Sequence, residues 1–240
     1  MPVNKINNQS YTHPSVHPDW DTIVGALKKW RKDLAKESPE GGYPSVTTVA
    51  ERYKNDPWAV LVSTILSLRT KDEVTLKCSQ ALLAKAPTPA KLLALTEKNI
   101  AKLAYPAGFY RTKAANLKKI AALILDKHNG KVPSDLDTLL GFPGVGRKTA
   151  NLVLIEAYNK DGICVDIHVH RISNRCGWLG SKTPDETEMI LRSILPRKHW
   201  KPLNPLLVLY GQNVCRPVSP FCSRCVIAQH CKKINVEKSR

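Results

Sequence analysis

The sequence predicts an all-α protein built from about ten helices. Apolar residues recur at helical spacing along most of the chain, as Trp58, Leu61 and Ile65 do in one segment. No segment shows a convincing alternation of apolar and polar residues with the period of two that a half-buried strand requires. The connections between the helical segments are short, which favours a compact helical body.

Several helix starts are marked by residues that cap helices. An oxygen-bearing side chain at the N-cap accepts a backbone N–H of the first turn, and a proline at the next position already has a helical φ. This pair occurs three times, as Asp56-Pro57, Thr88-Pro89 and Thr183-Pro184. Glu186 follows Thr183 by three residues, which predicts a capping box at that start.

The remaining helix boundaries follow from similar signals. Thr112 is predicted to cap a long helix that Gly130 closes. Ser134 with Asp137 is predicted to start a short helix through Leu140. Further helices are predicted at about 72–86, 97–104, 147–158, 167–176 and 200–213.

The charge of the chain indicates a polyanionic partner. Lys and Arg number 37 against 20 Asp and Glu, which gives a net charge of +17. Because so large a charge repels itself unless a polyanion screens it, nucleic acid is the first partner to expect. A solvated surface that only aids solubility is the alternative. The cations are spread along the chain, which favours a basic face on the folded body.

The apolar content and the N-terminal stretch bear on location. No run approaches the roughly 20 apolar residues that cross a membrane, and MPVNKINNQSYTHPS lacks the apolar core of a secretory signal. We expect that stretch to be a disordered arm, and we expect a flexible linker around Ser38–Ser45. A cytoplasmic protein is predicted, associated with the nucleoid in a prokaryote, so the seven cysteines are not expected to form disulfides. We also expect a monomer.

The segment LDTLLGFPGVGRKTANLVLIEA predicts a short helix, a tight turn and a long helix. Gly144 and Gly146 flank the start of the long helix, and glycine allows another backbone to approach closely. The first N–H groups of a helix have no internal partners, so with the helix dipole they favour an anion such as a DNA phosphate. An ordinary helix–helix turn is the alternative, but Arg147 and Lys148 follow at once and favour phosphate binding.

Lys148 and Asp166 are the candidate catalytic residues. The positive end of the helix dipole, with Arg147 beside it, disfavours an ammonium at Lys148, and free amine is the form that attacks to make a Schiff base. The alternative is a solvated lysine that contacts phosphate. Asp166, in ICVDIHVHR, is expected to cap the helix at 167–176, a role that is compatible with a carboxylate held near Lys148. His168 is interpreted as structural or phosphate-facing.

Four cysteines crowd the C-terminal region in the pattern C-x6-C-x2-C-x5-C, namely Cys215, Cys222, Cys225 and Cys231. Zinc sites commonly present two close pairs, whereas a four-thiolate iron–sulfur cluster fits this spacing at least as well. Spacing alone leaves both metals open. Arg216 and other cations in or beside this loop predict a patch that faces DNA. The other three cysteines are expected in the core.

Three motifs follow one another in order: FPGVGRKTA, VDIHVHR and the four-cysteine pattern. The ordered set resembles the endonuclease III family of helix-hairpin-helix DNA glycosylases with an iron–sulfur cluster. The resemblance implies a six-helix domain at about 48–159, with the helix-hairpin-helix at 136–158. It also implies a second helical domain, 1–47 plus 160–240, that carries the cluster loop 215–231, and a cleft between the two domains that holds the active site.

The resemblance also implies the chemistry. The four cysteines would hold a [4Fe–4S] cluster, Lys148 matches the catalytic lysine of the family, and Asp166 matches its catalytic aspartate. A lysine at this position is typical of the members that both excise a base and cut the strand. The damaged nucleotide would be flipped out, Lys148 would attack C1′ of its sugar, and Asp166 would stabilise the developing positive charge or assist proton transfer.

One departure from the family bears on the substrate. The loop SLRTKD has Arg69 where a glutamine is common, while Asp72 is kept, and arginine prefers guanine edges. Phe109 falls where relatives have an apolar wedge, although a core position is the alternative. We expect excision of oxidised pyrimidines from duplex DNA. The alternatives are alkylated, mismatched or oxidised purine bases, or a non-catalytic DNA-binding iron–sulfur protein.

Overall fold

The computed structural model describes residues 18–37 and 43–240. Within these residues the chain forms twelve α-helices and short 3₁₀ turns, and no strand, so the all-α prediction is confirmed. The helices are α1 (Trp20–Glu37), α2 (Ser45–Arg52), α3 (Pro57–Ser67), α4 (Asp72–Lys85), α5 (Pro89–Leu93), α6 (Glu97–Ala104), α7 (Tyr110–Lys127), α8 (Leu136–Leu140), α9 (Arg147–Tyr158), α10 (Ile167–Cys176), α11 (Pro184–Ile194) and α12 (Trp200–Asn213). None of the helices in the described part of the chain is long and apolar enough to cross a membrane.

The chain divides into two helical units. One comprises Glu40–Cys164, and the other joins Met1–Pro39 to Val165–Arg240. We call them the central unit and the terminal unit. These units are groups of residues in mutual contact, so the domain boundaries expected at 48 and 159 stay a prediction. The predicted N-terminal arm lies outside the described residues, as does most of the predicted linker.

The central unit is built around α3. Every residue from Trp58 to Leu66 is buried, because α2, α4, α7 and α9 pack around this helix. A helix that is apolar on all sides belongs in the middle of a core. Asp56 caps α3 as predicted, since its side chain accepts a hydrogen bond of 2.8 Å from the backbone N–H of Ala59.

The other predicted helix starts have mixed outcomes. Thr88 and Thr183 cap α5 and α11 as expected. The predicted cap at Thr112 is wrong, because α7 begins at Tyr110, after a residue in the left-handed conformation. The start predicted at Ser134 with Asp137 is also shifted: Asp135 caps α8, and its carboxylate accepts the N–H of Thr138 at 2.8 Å.

The terminal unit packs α12 against α1 and α10. Two edge-to-face ring pairs contribute to its interior, Trp20 on Trp178 and Trp30 on Tyr210, with centroids 5.1 and 4.8 Å apart. The segment after α12 carries the four clustered cysteines and two 3₁₀ turns, Cys222–Arg224 and Ala228–His230. This segment has little regular structure, so side chains from α10 and α12 hold it in place.

Candidate functional site

The turn between α8 and α9 requires glycine at one position. Gly144 has a φ of +77°, in the left-handed region that favours glycine. A Cβ at this position would also lie 2.5 Å from the side-chain nitrogen of Asn116 on α7. The turn is therefore shaped by a close approach between the hairpin and α7.

The start of α9 carries the features expected of an anion site. Gly146 is its N-cap, and a Cβ built there would meet nothing within 4 Å. Because the N-cap is a glycine, it has no side chain that could take up the first-turn N–H groups. The first-turn N–H groups of α9 therefore combine the positive end of the dipole with an uncrowded glycine turn, which is what a phosphate requires.

Lys148 is the second residue of α9 and is half-buried, next to the half-buried Arg147. The following residues of the helix, Thr149 and Ala150, are buried in the core of the central unit. The thiol of the buried Cys164 donates to the backbone carbonyl of Lys148, with a sulfur–oxygen distance of 3.7 Å. The backbone of Lys148 is thus held from the core side while its side chain retains access to solvent.

Asp166 is buried at the start of α10 in the terminal unit. Its Oδ1 atom accepts hydrogen bonds from the backbone N–H groups of His168 and Val169, both at 2.9 Å. The predicted N-cap is therefore confirmed. Among the described residues, Oδ1 takes both of these bonds and Oδ2 takes none, so the carboxylate is fixed in direction with one oxygen not engaged by the cap.

His168 belongs to a polar group inside the terminal unit. Its Nδ1 lies 3.2 Å from a guanidinium nitrogen of Arg171, and that nitrogen donates to the carbonyl of Cys215 at 2.8 Å. A Cβ at Gly211 on α12 would collide with the His168 ring. The structure thus places His168 against α12, and its predicted contact with DNA stays a prediction.

Arg69 and Phe109 lie in contact at the tips of two neighbouring loops of the central unit. Both residues have positive φ, 52° and 56°, which is uncommon for residues with a side chain. The guanidinium carbon of Arg69 lies 5.4 Å from the centre of the Phe109 ring. Phe109 is 62% exposed, so the alternative that it belongs to the core is wrong.

Asp72 is half-buried and bonded to Ser45, and its predicted contact with DNA stays a prediction. Its Oδ1 accepts hydrogen bonds from the hydroxyl of Ser45 at 2.6 Å and from the backbone N–H of the same residue at 3.3 Å. The carboxylate at the start of α4 therefore fixes the start of α2. Arg216 is exposed, and its guanidinium lies 5.3 Å from the ring of Phe221.

The four clustered cysteines, Cys215, Cys222, Cys225 and Cys231, line one small cavity in the terminal unit. Three donors point at their sulfur atoms: a guanidinium nitrogen of Arg175 lies 3.3 Å from Cys215, the Tyr210 hydroxyl 3.1 Å from Cys225, and the backbone N–H of Lys233 3.4 Å from Cys231. In the part of the chain that the structure describes, no three His, Cys, Asp or Glu side chains come together to hold a single metal ion.

The thiols around this cavity are in different electrostatic surroundings. Burial raises the pKa of Cys215 and of Cys225, whereas a hydrogen bond from Cys176 lowers the pKa of Cys231 to about 6. Cys176 was expected in the core and is buried, but it also lines the cavity. Sequence spacing gave no signal of this fifth cysteine, because it comes from α10 and not from the C-terminal loop.

Residues 62–197, more than half of the chain, match the profile of the HhH-GPD superfamily of base excision DNA repair proteins. The chain belongs to this superfamily. The prediction from the three ordered motifs is thereby confirmed at the level of the superfamily.

Curated members of the HhH-GPD superfamily are similar to the chain over most of its length. It is 43% identical over 179 residues to Endonuclease III of Thermotoga maritima, an alignment that covers 75% of this chain and 84% of that protein. It is 44% identical over 183 residues to Endonuclease III homolog 1 of Arabidopsis thaliana, covering 72% of this chain. The chain spans only 48% of that plant relative.

Two solved structures are similar to this HhH-GPD chain in fold. One is a non-covalent complex of an endonuclease III with DNA, with a TM-score of 0.73, 30% identity and coverage of 88% of this chain and 95% of that one. The other is a trapped covalent endonuclease III–DNA intermediate described as an estranged-adenine complex, with a TM-score of 0.71 and 30% identity over 88% and 96% of the two chains.

One buried residue beside the loop tips was missed by sequence reasoning. Lys113 on α7 is 5% exposed, and its ammonium donates to the backbone oxygens of Leu66 and Leu68 and to the hydroxyl of Thr70. A signal was present, because position 113 lies one turn before Leu117 on the apolar stripe of α7. A lysine on an apolar stripe is a candidate buried cation.

Proposed function

We propose that this chain is a bifunctional DNA glycosylase and abasic-site β-lyase that removes oxidised pyrimidines from duplex DNA. The observation that carries the proposal is the placement of Lys148 in the first turn of α9, directly after the glycine turn of the hairpin. Its membership of the HhH-GPD superfamily and its similarity to a trapped endonuclease III–DNA covalent intermediate support a covalent step at this lysine.

The proposed DNA binding combines the positive net charge of the protein with one phosphate site at a fixed position. The net charge of +17 attracts the duplex and releases its counterions. The turn at Gly144 and Gly146 would bring the first N–H groups of α9 against a phosphate. A phosphate held there positions Lys148, which lies within the same turn of helix, close to the sugar–phosphate backbone.

The proposed reaction begins once the damaged nucleotide has left the base stack. The amine of Lys148 attacks C1′ of the sugar, and the bond from C1′ to the base breaks as the base leaves with a proton. The amine nitrogen gives up one proton as the base leaves with one. The C1′–O4′ bond then breaks, O4′ takes up a proton from water, and a protonated Schiff base remains between Lys148 and C1′. Transfer of a C2′ proton to water breaks the bond from C3′ to oxygen, so the 3′ phosphate leaves with the bonding electrons and the strand is cut.

The proposed role of Asp166 follows from how it is held. Sugar opening and base loss develop positive charge at C1′, and a fixed carboxylate stabilises such a charge without reorganising. The cap at the start of α10 supplies this fixed direction through the two bonds to Oδ1. The same carboxylate can accept the proton that Lys148 loses on attack.

Arg69 and Phe109 are proposed to fill the gap left by the flipped base. A base partner that has lost its pair needs new hydrogen bonds, which a guanidinium supplies, and the gap in the stack suits an aromatic ring. The exposed ring of Phe109 and its contact with Arg69 support a joint role.

The four clustered cysteines are proposed to hold a [4Fe–4S] cluster. A lone zinc ion needs its ligands about 2.3 Å from one point, whereas a cluster spreads four thiolates around a larger body. Four cysteines that line one cavity supply the four thiolates that such a cluster takes. Hydrogen-bond donors from Arg175, Tyr210 and Lys233 suit anionic sulfur.

The cluster is proposed to act as a structural centre, not as a reactant. When bound it would supply bonds that hold the loop after α12. Arg171 and Arg175 donate to backbone oxygens of that loop at Cys215, Arg216 and Pro217, so they connect it to the helix that Asp166 begins. The need for reduced thiolates supports the proposed cytoplasmic location.

A second lesion class is favoured by one residue, Arg69. An arginine at the partner base prefers guanine, so lesions that face guanine, including alkylated or mismatched bases, are the alternative substrates. Duplexes with thymine glycol, 8-oxoguanine, uracil or an alkylpurine distinguish the two. We expect base release and strand cutting to be fastest with thymine glycol. Faster release of another base would move the proposal to that lesion, and no release from any would contradict a glycosylase.

A further inference from the structure

A buried lysine lies beneath the two loop tips of the central unit. The Nζ atom of Lys113 is 2.7 Å from the backbone oxygen of Leu66, 2.6 Å from that of Leu68 and 2.9 Å from the hydroxyl oxygen of Thr70. An ammonium has three donors, and each of them has an acceptor here. All three acceptors belong to the segment that ends α3 and carries Arg69.

This lysine is costly to keep for stability alone. Charge buried without a counter-charge is unfavourable, and an apolar side chain would fill the same stripe of α7 without that cost. No carboxylate forms a salt bridge with Lys113 within the described residues. Burial therefore lowers the pKa of Lys113 to about 8. All three of its hydrogen bonds go to one loop, which indicates that the lysine serves to hold that loop in place.

The second loop is joined to the first through Thr70. The Thr70 hydroxyl oxygen accepts the backbone N–H of Gly108 at 3.1 Å while it also accepts from Lys113. A Cβ at Gly108 would collide with the backbone oxygen of Arg69, so the two loops touch along their backbones. Lys113, Thr70 and Gly108 thus form one chain of contacts that ends at Phe109, the next residue.

The two tips need such support. Arg69 and Phe109 both hold left-handed backbone conformations, which cost free energy in residues with a Cβ and persist only where neighbours enforce them. They belong to different loops, and the side-chain contact between them is a cation over a ring, 5.4 Å from its centre. The hydrogen bonds of Lys113 hold the backbone of these loops in that conformation.

We propose that Lys113 is a positioning residue that holds Arg69 and Phe109 as one rigid pair, and that this pair sets the preference for the base opposite the lesion. The inference rests on the proposed function, because it assumes that the pair enters the duplex. Lys113 itself touches neither the DNA nor the reacting sugar in this account.

The test compares Lys113→Met with a matched control, Lys118→Met. Lys118 lies on the same helix and donates to the carbonyl of Leu95 at 2.7 Å, so the control also loses a lysine-to-carbonyl bond. For each protein, excision of thymine glycol is measured opposite guanine and opposite adenine, and the ratio of the two rates is taken. A fixed arginine should prefer guanine by about tenfold, and misfolded enzyme cancels in the ratio.

We expect the wild type and Lys118→Met to share that ratio and Lys113→Met to bring it within about twofold of one. A second variant, Gly108→Ala, forces the two loops apart and leaves the buried lysine in place. It should also bring the opposite-base ratio within about twofold of one. A ratio that survives in both variants would overturn the proposal, as would a wild type without opposite-base preference. Cutting of a single-stranded abasic site, which has no partner base, should be unchanged in every variant.

That last substrate separates failure of the inference from failure of the proposed function. A wild type that cuts no abasic site contradicts the lyase itself. A wild type that cuts it, with an opposite-base ratio that does not depend on Lys113, contradicts only the positioning role.

The pH gives an independent readout. As the pH rises from about 7 to 9, Lys113 loses its proton, and an amine has two donors for three acceptors. Cys78 on α4 is the titratable group that faces Lys113, and burial raises the pKa of its thiol, so it stays protonated over this range. The opposite-base ratio should therefore fall with rising pH in the wild type and stay flat in Lys113→Met. A flat ratio in the wild type would overturn the proposal.

Discussion

The central unit and the terminal unit hold their proposed catalytic residues by different means. Lys148 is fixed because α9 packs into an apolar core around α3, which needs no metal and few polar contacts. Asp166 begins a helix whose arginines, Arg171 and Arg175, bind backbone oxygens of the cysteine loop. Loss of the cluster is therefore expected to disturb the position of Asp166 and to leave the fold around Lys148 intact.

The largest effect is expected from removal of a cluster ligand. Cys222→Ala should lose the brown colour of the cluster and the solubility of the protein together, because the loop after α12 has little other structure to hold it. Hydrogen exchange read by mass spectrometry on any soluble fraction should show lost protection in α10 and kept protection in α3. A soluble, colourless and fully active variant would contradict a structural role of the cluster.

The next effect separates the charge of Asp166 from its cap. Asp166→Asn keeps an oxygen for the N–H groups of His168 and Val169, so the melting temperature should stay within a few degrees. Base excision should fall by roughly 100- to 1,000-fold, because the carboxylate charge is lost. Asp56→Asn, the same change at the cap of α3, is the control and should leave excision within about twofold. Near-normal excision by Asp166→Asn would show that the charge is not used.

The smallest effect compares one cap from each unit. Thr88 and Thr183 make equivalent bonds to backbone N–H groups, at 3.3 and 3.2 Å. Each change to alanine should lower the free energy of unfolding by about 1 kcal/mol while the cluster is bound. After removal of the iron, urea denaturation should still detect the loss at Thr88 but no longer the loss at Thr183. Equal losses in both states would mean that the terminal unit folds without the cluster.

The features that could be predicted from sequence are those set by local chemistry. Asp56 and Asp166 cap helices because an aspartate just before a helical apolar stripe can accept the N–H groups of the first turn. Gly144 is needed because the turn requires positive φ. The start of α7 was missed because Phe109 adopts its conformation through contact with another loop. Lys113 was missed for the same reason: its partners lie more than 40 residues away.

The cysteine site could likewise be predicted only in part from the sequence. The spacing of Cys215, Cys222, Cys225 and Cys231 was enough to predict a metal centre, but not to decide which metal. The fifth cysteine of the cavity, Cys176, comes from α10, and its place depends on how that helix packs. The bond from Ser45 to Asp72 could likewise not be predicted, because the two residues lie 27 positions apart in the chain.

Every step of the proposed reaction depends on a covalent bond between Lys148 and the sugar of the damaged nucleotide. Borohydride trapping on a duplex with one thymine glycol tests it directly, with Lys148→Ala compared against Lys127→Ala, an exposed lysine at the end of α7. We predict a trapped protein–DNA complex for the wild type and for Lys127→Ala and none for Lys148→Ala. Equal trapping by Lys148→Ala would contradict the account, because another amine would then be the nucleophile.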